Sequence, residues 1–168
     1  MNEIAEINQN AWELAASAMV LRNGKLEAYS TSQIRKIMSS AGSKDFHQEI
    51  LRVVQNYKPA PPQNINANQA QKQIREKAQK NTEFGQYLAR VIVNRDFNYV
   101  QKLLRYTLWD IKIIENSIKN KDKLNQILNC ECVGDKWKIV SMLEPLLQAN
   151  AKPVKHDERQ GFNKSFRR

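Results

Sequence analysis

The stretch that decides the fold of this chain is FNYVQKLLRYTLWDIKIIENSIKN, residues 97–120. At about 100° per residue, Leu104, Ile111 and Ile118 lie together on one side, as the buried stripe of an amphipathic helix does. Asp96 stands directly before this stretch, where a helix N-cap is needed. The spacing therefore predicts a capped helix, the longest of the chain, whose apolar side packs on a core.

Helices are predicted over most of the remaining sequence. Only five of the 168 residues are glycine, and residues of high helix propensity occur in long runs. No alternating pattern longer than four residues indicates a strand. The fold class is therefore all-α, a compact bundle of six to eight helices. The predicted helical segments cover about residues 2–22, 31–40, a segment ending at 55, a polar segment 69–81 with its apolar successor 82–96, then 97–120, 123–128 and 133–150, the last with a kink or restart at Pro145.

One domain is predicted, because 168 residues of which 41% are hydrophobic can hold one ordinary core. It covers residues 1–150 and contains a proline-rich loop, residues 57–67, and a turn at Asn23-Gly24. Residues 151–168 form a basic tail, which we expect to be flexible until it meets a partner. An inert solubilising end is an equal alternative for this tail.

The net charge of +10 points to an anionic partner: phosphates, a membrane surface or an acidic protein. Residues 58–95 carry seven bases and two acids, and residues 151–168 carry six bases and two acids. Nine of the ten net charges therefore lie in the polar helix with its successor and in the tail.

Several function classes lack support in the sequence. No segment has the roughly 18 consecutive apolar residues that span a bilayer, and the start is acidic and polar, unlike a signal peptide. We therefore expect a cytoplasmic protein that binds no membrane. Cys130 and Cys132 fit a reducing compartment, and with His47 and His156 they show no metal-site spacing. No phosphate loop or nucleophile motif is present, so we expect neither catalysis nor a cofactor.

The candidate site consists of basic side chains that could contact a phosphate backbone. On the helix 97–120, the bases lie opposite the apolar stripe, with Tyr106 and Trp109 among them. An aromatic ring in this position can stack on an unpaired base, although burial against another helix or a second copy is the favoured expectation for Trp109. A merely solvated basic face is the alternative throughout. The candidate residues are Arg35, Lys36, Lys72, Arg75, Lys80, Arg90, Arg95, Lys102 and Arg105.

The segment TSQIRKIM, residues 31–38, resembles the opening helix of the small subunits of CRISPR effector complexes, the type III subunits in particular. Ser30 and Gln33 fit a capping box, and Arg35 and Lys36 follow at the helix start, where amides already attract anions. The resemblance implies a non-catalytic helical subunit whose copies stack into a filament and contact the guide–target duplex or the displaced strand. Only Arg35 and Lys36 carry over from the motif itself.

The chain also departs from that family pattern, because about thirty residues precede the motif. The alternative resemblance is to the small-subunit-like C-terminal part of a type I large subunit, made separately from an internal start. From the residues alone, two other functions stay open. One is a helical scaffold or adaptor whose basic face docks on an acidic partner, and the other is a free-standing single-strand-binding protein.

Overall fold

The computed structural model describes residues 2–22, 25–28, 31–40, 45–56, 66–117, 120–130 and 133–151. Several predictions fall outside these ranges, among them the Asn23-Gly24 turn, the proline-rich loop up to residue 65, and the basic tail from residue 152. The described residues are mostly helical, which confirms the all-α class. Their elements are α1 (Glu3–Ser17), β1 (Met19–Arg22), β2 (Lys25–Ala28), α2 (Thr31–Ser40), α3 (Phe46–Gln55), α4 (Ala67–Ile92), α5 (Phe97–Ser117), α6 (Lys121–Leu128) and α7 (Lys136–Ala151).

A short hairpin corrects the helix predicted over residues 2–22. Helix α1 ends at Ser17, and β1 pairs antiparallel with β2 so that Arg22 lies opposite Lys25. Met19 and Val20 are buried, and a short apolar run of this kind fits a buried strand as well as a helix. The sequence pattern alone therefore could not separate the two.

Helix α1 lies at the centre of the bundle. It packs most extensively along α5 and also contacts α4 and α7. Every residue from 11 to 20 is buried, including Trp12 and the carboxylate of Glu13. Glu13 accepts hydrogen bonds from the hydroxyl of Tyr87 on α4 and from the Nζ of Lys138 on α7. A buried carboxylate needs such partners, and here they join three helices.

Helix α4 is a single helix of 26 residues, longer than α5, so the expectation that 97–120 is the longest helix is wrong. The side chain of Asn66 caps it by accepting from the amide of Gln69 at 2.9 Å. Its amino-terminal half is largely exposed, whereas Phe84, Leu88 and Ile92 in the carboxyl-terminal half are buried. The carboxyl-terminal half of α4 therefore packs in the core, and the polar amino-terminal half projects beyond it.

Helix α5 has the predicted polarity. The carboxylate of Asp96 accepts from the amide of Tyr99 at 2.8 Å, which confirms the cap. Leu104 and Ile111 are fully buried, as the stripe predicts. Ile118 lies outside the described residues. The buried side of α5 packs on α1 and α2.

Polar side chains of α2 and α4 hydrogen-bond to backbone carbonyls of α3. The amide of Gln33 donates to the carbonyl of Val53 at 2.8 Å, so this side chain links α2 to α3. Its predicted capping partner, Ser30, lies outside the described residues. Asn81 on α4 donates to the carbonyl of Val54 at 2.8 Å.

The last helix, α7, begins where Asp135 accepts from the amide of Lys138 at 3.2 Å. It continues through Pro145 to Ala151 without the restart that was one of the two expectations there.

Candidate nucleic-acid interface

The outer face of α5 carries an exposed row of four side chains, Lys102, Arg105, Trp109 and Lys112, which we call the α5 stripe. Their spacing of three, four and three residues keeps them within an arc of about 80° and along about 15 Å of the helix axis. The opposite side of α5 is packed in the core, and this packing holds the helix that carries the four side chains in a fixed position. The α5 stripe is therefore a rigid row of three cations and one indole.

Trp109 is not buried by a neighbouring helix within the described residues, which corrects one of the two forms of burial expected for it; burial against a second copy stays a prediction. Its exposed fraction is 57%, and its ring lies on that of Tyr106 with centroids 5.5 Å apart and planes 24° apart. Tyr106 lies one turn earlier and is itself half-buried. The i, i+3 spacing allows this contact on a helix surface, and it holds the indole beside the cations.

The cations of the α5 stripe are only partly compensated. The Nζ of Lys102 lies 3.6 Å from a carboxylate oxygen of Glu3 on α1. Arg105 and Lys112 form no ion pair with any residue that the structure describes. Two cations without an acidic partner in the described part of the chain thus lie on either side of an exposed indole, an arrangement that favours contact with an anion.

The candidate residues on α4 are placed differently. Lys72 lies 3.9 Å from Glu76, one turn along the same helix, and Lys80 lies 2.8 Å from Glu83. Exposed pairs of this kind contribute little stability, but they place an acid beside each lysine. Arg75 is exposed and has no ion pair within the described ranges. The large positive balance of this segment is thus partly cancelled by its own glutamates.

Lys80 and Arg90 line a common cleft of about 310 Å³ between α4, α1 and α7. The guanidinium of Arg90 lies 5.3 Å from the centroid of the Tyr87 ring, which also lines the cleft. Burial and the hydrogen bond to Glu13 raise the pKa of Tyr87 well above its usual range, so this phenol stays protonated. The cleft therefore combines two cations with one neutral phenol and the carboxylate of Glu83.

Arg95 is engaged within the fold. Its guanidinium pairs with Glu6 on α1 and lies 4.5 Å from the centroid of the Tyr99 ring. The pair with Glu6 holds the turn between α4 and α5 against α1, and the contact with Tyr99 holds it against the first turn of α5. Arg95 therefore has a structural role in the fold. It is not part of the α5 stripe.

Arg35 and Lys36 are exposed on α2, while Ile34 and Ile37 on the same helix are fully buried. Since α2 begins at Thr31, the two cations follow its first turn and do not lie within it. They can reach an anion at the helix start only by pointing back along the helix, the direction in which helical side chains lean.

A second exposed tryptophan was missed by sequence reasoning. Trp137, at the start of α7, is 73% exposed, and the Nζ of Lys136 lies 5.0 Å from the centroid of its ring. The available signal was the segment DKWK, residues 135–138, in which an aromatic residue stands between two lysines directly after a helix cap. Its neighbour Lys138 is held by Glu13.

Burial raises the pKa of Asp110 to about 7. This carboxyl lies on the buried side of α5, next in sequence to Trp109. Above pH 7 the helix therefore carries a buried negative charge behind its basic outer face.

The described residues contain no cluster of three metal-ligating side chains. His47 hydrogen-bonds the carbonyl of Ile92 at 2.9 Å and stacks on Phe46, which accounts for its position. Cys130 is a free, exposed thiol, whereas Cys132 falls in a range that is not described. Among the helices described, none combines the length and apolar character required to span a membrane.

Comparison with known proteins adds no further constraint on this interface. No protein-family model, no curated protein and no solved structure matches the chain.

Proposed function

We propose that this chain is a non-catalytic protein that binds nucleic acid through the phosphate backbone, without sequence preference. The observation that carries the proposal is the α5 stripe, in which Arg105 and Lys112 are exposed without an acidic partner among the described residues. Cations of this kind gain affinity for a polyanion by releasing its condensed counterions, and they read no base.

The length of the α5 stripe suits a backbone contact. About 15 Å of helix equals the axial rise of about four base pairs of a duplex, so the α5 stripe can contact several successive phosphates. Lys72 and Arg75 on α4, and Arg35 and Lys36 on α2, are further exposed cations that could extend the contact. Because several phosphates are neutralised together, the affinity depends steeply on salt.

We propose further that the chain acts as a small subunit of a CRISPR ribonucleoprotein effector complex in the cytoplasm. The support for this assignment is the resemblance carried by residues 31–38 together with a helical bundle of suitable size. In such an assembly several copies stack beside other subunits, and base pairing to the guide supplies the sequence specificity. The partners are then the guide RNA and its target, as a duplex or a displaced strand.

A salt titration tests the binding proposal. We would measure the affinity of the purified chain for a labelled RNA, single-stranded and duplex, over a range of salt concentrations. Changing Arg105 and Lys112 together to Ala should lower the affinity and reduce the slope of log affinity against log salt by about 1.4 to 1.8. Lys123→Ala, which removes an exposed lysine from α6, serves as the control. A slope that the double variant leaves unchanged would exclude the α5 stripe as the phosphate contact.

The native assembly tests the CRISPR assignment separately. We would tag the amino terminus, purify the chain gently from its native cells, and determine the mass of the particle and the length of its RNA. A large particle with several protein chains and RNA of uniform length supports the assignment. A small particle free of nucleic acid would favour an adaptor that docks on an acidic protein, and RNA of ragged length without partner proteins would favour a free-standing binder.

A further inference from the structure

We propose that Trp109 and Tyr106 form a stacking platform for one unpaired nucleobase, so that the α5 stripe selects single-stranded over duplex nucleic acid. The inference rests on the proposed function and deepens it. Phosphate contacts alone bind a duplex and a single strand alike, whereas an aromatic platform needs the open face of a base.

The exposure of Trp109 is the first step. The chain has a clear core tryptophan, Trp12, which is only 4% exposed, whereas Trp109 is 57% exposed on a helix whose opposite side is fully packed. A large indole on a rigid outer face leaves apolar surface in water, and such surface marks a contact with a partner. A stacked base would cover it.

The second step is the preorganisation of the ring. Tyr106 stacks on Trp109 with planes 24° apart, so part of the indole already rests on a neighbour that the helix holds in place. Less rotamer freedom is then lost when a ligand binds, and more of the contact energy appears as affinity. An exposed tryptophan without such a neighbour would have to be ordered by the ligand itself.

The third step is the position of the cations. Arg105 lies about 6 Å before Trp109 along the helix axis and Lys112 about 4.5 Å after it. A nucleotide has a phosphate on each side of its base. When the strand runs along α5, a base on the indole places its two phosphates toward opposite ends of the α5 stripe, where Arg105 and Lys112 lie without an acidic partner among the described residues.

The same charges argue against the other occupants. In a symmetric contact between two copies, the α5 stripe would face an identical row of cations, which repel one another. In a duplex, both faces of every internal base are already stacked. A single strand alone supplies both the negative charge and an open aromatic face.

The test separates base stacking from phosphate contact. We would measure the affinity of the full chain for a short oligothymidylate, for an abasic oligonucleotide of equal length, and for a duplex of that length. Trp109→Ala should weaken binding of oligothymidylate by roughly 5- to 150-fold, the range reported for loss of one stacked base. Binding of the abasic strand and of the duplex should not change. Trp109→Phe should retain much of the affinity, and Trp137→Ala should retain all of it.

Each other outcome overturns the inference in a recognisable way. Equal losses on oligothymidylate and the abasic strand would mean that Trp109 does not stack on a base. If Trp109→Ala bound oligothymidylate as tightly as the wild type while the Ala variant of Arg105 and Lys112 bound it more weakly, the stacking platform would be excluded and the phosphate contact would be retained. A lower sedimentation mass of Trp109→Ala with unchanged affinity would identify a contact between copies. No binding of any oligonucleotide at low salt would overturn the proposed function as well.

Discussion

The amino-terminal half of α4 and the outer face of α5 are both basic and exposed, but their charges have different surroundings. On α4, Lys72 and Lys80 each have a glutamate one turn further along the same helix. On α5, Arg105 and Lys112 have no such partner within the described part of the chain. Among the described residues, acids therefore lie beside two lysines of α4, whereas two cations of α5 have none beside them. This placement of the acids is the reason for placing the proposed phosphate contact on α5, although the segment with α4 has the higher net charge.

The two regions also differ in what supports them. The first half of α4 rests on few apolar contacts, and its one large apolar residue, Ile74, is only half-buried. The inner side of α5 carries Leu103, Leu104 and Ile111, all fully buried. A helix packed in this way keeps its outer side chains in fixed positions, whereas a helix without a core face opens locally at low cost. The α5 stripe is thus the better preorganised of the two surfaces.

The largest expected effect concerns the buried carboxyl behind the α5 stripe. Burial raises the pKa of Asp110 in the folded chain to about 7, compared with about 3.9 in the unfolded chain. Between these values the folded chain binds the extra proton, so the free energy of unfolding decreases as the pH rises from about 4 to about 7. The total loss is up to about 4 kcal/mol. We expect Asp110→Asn to be more stable than the wild type at pH 8 and similar to it at pH 4.

Chemical denaturation at several pH values measures this difference. Asp122→Asn, which changes an exposed carboxyl in the first turn of α6, is the matched control and should leave the pH profile unaltered. If the difference between Asp110→Asn and the wild type were the same at pH 4 and pH 8, Asp110 would not be the titrating group. The support of the α5 stripe would then be independent of pH in this range.

The next effect concerns Gly85, where the solvated half of α4 gives way to the packed half. A Cβ at this position would overlap the Cγ1 of Val54 on α3, because it would lie closer to it than two non-bonded carbon atoms approach. Val54 is buried and β-branched, so it cannot move aside easily. Although alanine favours a helix more than glycine does, we expect Gly85→Ala to destabilise the chain by about 1 to 3 kcal/mol.

Thermal unfolding of three variants checks the cause. Combining Gly85→Ala with Val54→Ala should restore part of the lost stability relative to the sum of the two single changes, because the methyl group then occupies the space that valine leaves. Strictly additive losses would show that the α3–α4 contact is not tight. The carboxyl-terminal half of α4 would then be packed less tightly than the structure indicates.

Local patterns in the sequence predicted much of this architecture. The spacing of Leu104 and Ile111 gave the inner side of α5, and Asp96 gave its cap. The hairpin at Met19–Ala28 was missed because a buried strand of four residues has the same apolar run as a helical turn. The exposure of Trp109 was also missed, since a tryptophan on a helix surface can be covered by any neighbour, and the tertiary arrangement decides whether one is present.

The sequence predicted that the candidate site consists of basic residues, but it did not predict which helix presents them without acidic neighbours. The helical wheel of residues 97–120 identified Lys102 and Arg105 as candidates, whereas the count of bases along the chain gave most weight to residues 58–95 and to the tail. The ion pairs that lower the potential of α4 follow an i, i+3 or i, i+4 spacing and could be read from the sequence. The pairs of Arg95 with Glu6 and of Lys102 with Glu3 join helices that are about 90 or more residues apart, so only the fold reveals them.

The smallest expected effect comes from removing the acid of one ion pair on each surface, and it decides whether α5 or α4 makes the principal contact. Glu3→Gln removes the acid beside Lys102 on α5, and Glu76→Gln removes the acid beside Lys72 on α4. Both changes raise the net charge by one, so they alter the long-range attraction equally. If the α5 stripe holds the nucleic acid, Glu3→Gln should raise the affinity about twofold, since a lysine released from an exposed pair gains a few tenths of a kcal/mol of interaction. Glu76→Gln should raise it less. Affinities measured for both variants at one low salt concentration decide the matter, and a larger gain for Glu76→Gln would move the principal contact from α5 to α4.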